Sequence, residues 1–98
     1  MPVPERFTRE YGCSVEEWLR WLPGAVAGRA WRQSRPDAAE VDIEPGHLAM
    51  KWQPLPERRV ALVRLPRLEV RFAFDGVAPE ACAEFMRYFD LYTQRGGG

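Results

Sequence analysis

One histidine, one lysine and two cysteines in 98 residues leave little material for the commonest catalytic and metal-binding chemistries. Cys13 and Cys82 lack the CxxC spacing that metal sites and thioredoxin-like redox sites use, and no local His or Cys pair preorganises a zinc site. His47 follows the turn signal Pro45-Gly46, which suits the start of a strand better than a catalytic base. The glycine-rich phosphate loops, the HExxH zinc motif, the EF-hand loop and the GxSxG elbow are all missing, so no catalytic residue can be nominated and no cofactor is expected. The opening MPVPERFTREYG is charged and proline-bearing with no apolar run behind it, which is neither a secretory leader nor a membrane span; the expectation is a cytoplasmic protein with no membrane partner.

The charge that is present is balanced. Thirteen arginines and one lysine offset four aspartates and ten glutamates, so no overall basic field exists to hold a nucleic-acid polyanion. Apolar residues make up 46% of the chain and charged residues 29%, the range of globular domains and far from that of disordered chains. The length suits one domain spanning residues 1–98, with 1–12 a loosely docked arm and 95–98 a flexible tail.

Local signals then divide the chain. Ser14-Val15-Glu16-Glu17 fits a capping box and predicts a helix from Val15, whose Val15, Trp18, Leu19 and Leu22 recur at helical spacing. Pro23-Gly24 ends it near Leu22, and a second short helix over 24–31 is expected to follow, its Gly24 and Gly28 giving a smooth surface for close packing. The polar stretch Arg32–Glu40 reads as a loop. Val41–Glu44 and Leu48–Trp52 alternate apolar and polar residues around Pro45-Gly46, which predicts a hairpin. Pro54-Leu55-Pro56 reads as a connection or an edge, and Arg59–Leu65 as a further β-rich run. Leu68–Asp75 is the cleanest strand, with Leu65-Pro66-Arg67 before it either a turn or a kink. After Asp75-Gly76, Pro79 opens a last helix to about Gln94, with Cys82, Phe85, Met86 and Phe89 on one stripe. Cys82 therefore reads as a buried structural thiol, and Cys13, beside Gly12 at a helix entry, as structural too. The order predicts an α+β two-layer sandwich: an antiparallel meander of three or four strands, with an N-terminal helix pair and a C-terminal amphipathic helix on one face.

Two sets of residues carry the functional expectations. Trp21 and Trp31 beside arginines, and Tyr88, Leu91 and Tyr92 on a second apolar face of the last helix, suit a protein interface, with self or with another protein. The arginine cluster Arg58, Arg59, Arg64, Arg67 and Arg71 is the strongest local charge bias. From it, Arg59, Arg64 and Arg71 with Lys51 are the candidates for holding a small anion or single-stranded nucleic acid on an open sheet face. The leading expectation is a non-enzymatic interaction module, self-associating or part of a larger assembly, and the anion or nucleic-acid binder is the alternative. The terminal Gly96-Gly97-Gly98 reads as a frayed end; carriers activated at a Gly-Gly terminus enter it from a strand, whereas a helix is predicted here.

Overall fold

The structure is a computed structural model that describes residues 3–95. Its elements are β1 (Arg6–Tyr11), α1 (Val15–Ala25), β2 (Trp31–Arg35), β3 (Ala38–Ile43), β4 (Gly46–Val60), β5 (Val63–Asp75) and α2 (Pro79–Arg95). The strands form one five-stranded sheet in the order β1-β5-β4-β3-β2, with every neighbouring pair antiparallel. The α+β class and the helix layer on one face agree with the sequence.

Five strands replace the expected three or four because two segments read as irregular are strands. The N-terminal arm is β1, whose Phe7 and Tyr11 alternate with exposed Arg6, Thr8 and Glu10 as β1 pairs along β5. Phe7 stacks on Phe72, and Arg9 forms an ion pair with Asp90 of α2, so the segment is tied to both layers. The stretch expected as a loop is the β2–β3 hairpin, turning at Pro36-Asp37.

The helix pair is a single helix. The Ser14 hydroxyl accepts the Glu17 amide and the Glu17 carboxylate accepts the Ser14 amide, so the capping box is formed. The helix passes through Pro23 to Ala25: Pro23 has no amide to give the Leu19 carbonyl, but the turn after it still closes, with the Val26 amide on the Leu22 carbonyl and the Ala27 amide on the Gly24 carbonyl. Ala27 and Gly28 then adopt positive φ and end it, so residues 24–31 form no second helix and Trp31 opens β2. Of the two glycines expected to allow close packing, Gly24 does so: a Cβ there would lie 2.1 Å from the Tyr92 hydroxyl.

The core lies between the sheet and the two helices. Leu68, Val70, Phe72 and Phe74 of β5, with Leu48, Met50 and Trp52 of β4, face Trp18 of α1 and Phe85 and Phe89 of α2. Cys13 and Cys82 are both free and buried in this core.

The hairpin joining β4 and β5 departs most from expectation. The chain turns at Ala61-Leu62, inside the run read as one strand, and Leu65-Pro66-Arg67 lies within β5 as neither turn nor break. Pro54 and Pro56 are tolerated in β4 because β3 stops pairing with β4 at Lys51, so beyond it β4 is an edge. An irregularity between Leu55 and Arg58 absorbs an extra residue on β4.

Candidate functional site

Two surfaces are left uncovered by the helices: the outer face of the sheet, and the part of the β4–β5 hairpin that runs beyond its neighbours. Strand register places each residue of the outer face. In one row across the sheet, Arg6 lies opposite Ala73, Ala73 opposite Ala49, and Ala49 opposite Glu40. In the next row, Thr8 lies opposite Arg71, Arg71 opposite Lys51, Lys51 opposite Ala38, and Ala38 opposite Arg35. Three alanines thus form a low floor, and long cationic side chains stand around it. The resulting trough has a volume of about 450 Å³ and is lined by Arg6, Arg35, Lys51, Arg71 and Glu40 over that floor.

Its charges are poorly matched. Arg71 reaches Glu69 at 3.4 Å, and Glu40 is taken by Arg32. Among the described residues Arg6, Arg35 and Lys51 hold no ion pair. Lys51 and Arg71 are direct cross-strand partners, an arrangement of like charges that costs stability.

The four anion-binding candidates therefore divide into two pairs. Lys51 and Arg71 meet on the outer face, whereas Arg59 and Arg64 face each other near the end of the hairpin and belong to a different surface. Arg6 and Arg35 complete the trough and were missed, since one sat in a presumed arm and the other in a presumed loop. Only the strand alternation of those two segments carried a signal for them.

From Gln53 to Arg67 the two strands pair only with each other and form a ribbon. Eight residues of β4 at about 3.3 Å each span roughly 25 Å, in keeping with a longest molecular dimension of 47 Å. Arg67 anchors its base, donating to both carboxylate oxygens of Glu10 and holding that carboxyl below its usual range. Past this point the ribbon exposes Val60 (54%), Leu62 (100%), Val63 (55%) and Leu65 (42%), side chains that a folded domain ordinarily buries. Ala61, at the turn, has φ +55°, a left-handed conformation that favours glycine. Arg58, Arg59 and Arg64 have no ion pair among the described residues.

The interface candidates separate in the same way. Trp21 is 9% exposed and belongs to the core, so it is removed from the surface set because α1 turns that edge inward. Trp31 is half-buried in β2, opposite Val41. Tyr92 is half-buried against Gly24, so part of the second face of α2 is covered by α1 of the same chain. Tyr88 and Leu91 stay exposed at 45% and 50%.

Other chemistry is sparse. Burial pushes the Cys13 thiol up to about 11, with Glu17 adding to the effect, and raises that of Cys82 as well, which is the opposite of nucleophilic activation. Among the described residues no three His, Cys, Asp or Glu side chains gather where they could hold a metal ion. No described helix is long and apolar enough to cross a membrane. No family model and no curated protein matches the chain.

Proposed function

We propose that the protein is a non-enzymatic interaction module that docks its β4–β5 ribbon on an acidic protein surface, and that a second copy of the chain supplies such a surface. The observation that carries this reading is the ribbon tip, where four large apolar side chains stand in solvent beside unpaired arginines. A left-handed alanine and a fully exposed leucine at one turn break two local rules together. Such departures are expected where function, not stability, sets the residue.

The edges of the ribbon argue for contact through side chains and not through strand addition. Pro54, Pro56 and Pro66 each remove an amide donor, a known protection of exposed strand edges. Charge complementarity points to a second copy. At the opposite end of β4 and β5, Asp42 and Asp75 flank His47 in register, and Glu44 and Glu80 lie on the adjoining turn and helix start. These four acids are exposed and hold no ion pair among the described residues, and Arg58, Arg59 and Arg64 outnumber Glu57 on the ribbon, so a neutral chain is net basic at one end and acidic at the other. Head-to-tail contact is heterologous, and it builds rings or open chains whose mass grows with concentration.

Light scattering coupled to size exclusion tests this. The average mass is expected to exceed the monomer and rise with protein concentration at about 50 mM salt, and to fall towards the monomer at about 500 mM, where charge attraction is screened within a few ångströms. Arg59→Glu with Arg64→Glu is expected to give a monomer at low salt. A parent protein that is monomeric at every concentration, or a dimer indifferent to both salt and the arginines, would refute the ribbon reading; the second result would direct attention to Tyr88 and Leu91.

A further inference from the structure

The outer-face trough is separate from the ribbon and requires its own account. We propose that it is a binding site for a small, flat organic anion: a ring carrying a carboxylate or phosphate that lies on the alanine floor, its charged group held by Lys51 and Arg71 and its rim by Arg6 and Arg35.

Three observations carry this. The first is shape: a volume of about 450 Å³ falls within the 300–1,000 Å³ typical of small-molecule sites. Ala49 and Ala73 are adjacent in register, and Ala38 lies one row on across β4, so nothing beyond a methyl group rises from the floor. Strands about 4.8 Å apart make two neighbouring methyl groups a platform about as wide as a six-membered ring. The second is charge: four cations border a trough whose one lining carboxylate, Glu40, is already bound to Arg32, and of the four only Arg71 has a carboxylate partner among the described residues, Glu69 at 3.4 Å. The third is register, since the sheet holds Lys51 directly opposite Arg71, a repulsion that an anion between them converts into two attractions.

The same face argues against single-stranded nucleic acid. Such surfaces stack successive bases on aromatic side chains, and here the outward positions of β1, β4 and β5 that border the trough are Arg6, Thr8, Arg71, Ala73, Ala49 and Lys51, none of them an aromatic ring. A single flat ring needs only the floor and the guanidinium planes.

Amide NMR of the full chain, titrated with phenyl phosphate, benzoate and inorganic phosphate, tests the site. The two ring compounds are expected to shift the Ala49 and Ala73 amides saturably, with inorganic phosphate at least about tenfold weaker; the stronger of the two rings identifies the preferred anion. Lys51→Ala with Arg71→Ala is expected to weaken the ring compounds by at least about tenfold. Ala49→Leu is expected to do the same by filling the floor while leaving every charge in place, and Ala73→Leu replaces it should that variant fail to give a dispersed spectrum. The proposal is overturned by shifts that do not saturate by about 10 mM ring compound, by an Ala49→Leu protein that binds as the parent does, or by a single-stranded oligonucleotide binding this face where the ring compounds do not.

Discussion

β4 and β5 pass through two environments. From Gly46 to Trp52 and from Leu68 to Asp75 they are flanked by β3 and β1 and covered by both helices, and every second residue is buried. From Gln53 to Arg67 the same strands have no neighbour but each other, and most of their side chains, apolar ones included, face water. The first half is held by packing, since aromatic rings of β4 and β5 meet those of the helices across the two layers at 5.7–6.1 Å. The second half has its ladder, the Arg67–Glu10 bridge at its base, and side-chain hydrogen bonds from Gln53 to Glu69 and from Arg67 to the Pro56 carbonyl, and an isolated two-stranded ribbon is marginal in water. One hairpin thus combines a stable foundation with an extension whose apolar residues contribute little to the fold, which is the arrangement expected of a surface that meets something else.

The contrast is sharpest by truncation. Trp18→Ala, which removes a fully buried ring touching Tyr11, Trp52 and Phe89, is expected to destabilise the body by about 3–5 kcal/mol in urea unfolding. Leu62→Ser is expected to change stability by less than about 0.5 kcal/mol while lowering the mass in solution. An equal effect of the two on stability would mean that the ribbon is packed.

Alkali is expected to attack the body. Burial raises Tyr11 to about 12 and Cys13 to about 11, and raises Cys82 as well, so in this range the folded state holds more protons than the unfolded chain. Their contribution to stability is therefore full below about pH 8, where unfolded thiols remain protonated, and is lost as pH rises through about 11 to 12. Circular-dichroism melts across that range should show a falling midpoint, and a flat profile would contradict the burial of these groups.

The smallest effect lies at the ribbon turn. Ala61→Gly is expected to stabilise by roughly 0.5–1 kcal/mol by relieving the left-handed alanine. Urea midpoints measure it, and a loss of stability would mean that the turn conformation is wrong.

The body was legible in the sequence wherever periodicity and punctuation agreed. Leu68–Asp75 alternates cleanly, Cys82–Phe89 repeats at helical spacing, and Ser14 with Glu17 announces a helix start, and all three stand in the structure. The segments that misled are those in which tertiary pairing overrides local signals. β1 and β2 carry mostly polar residues because each is an edge strand, β1 with one face in water and β2 exposed at every residue but Trp31, so they read as arm and loop. The Ala61-Leu62 turn lacks the Asn-Gly or Asp-Gly of an unstrained hairpin, and the tighter signal of Pro66 drew the expected break five residues away. The candidate site suffered for the same reason. Lys51 and Arg71 were recognised because their strands were, whereas Arg6 and Arg35 sit on the two strands that were not.

The most direct test of head-to-tail association is mixing. One protein carries Arg59→Glu and Arg64→Glu on the ribbon; the other carries Asp42→Lys and Asp75→Lys at the opposite end. Each alone presents like charges to its own copies and is expected to be monomeric by light scattering at low salt, while their mixture restores opposite charges and assembles. A mixture that stays monomeric, or variants that assemble alone as the parent does, would contradict the account.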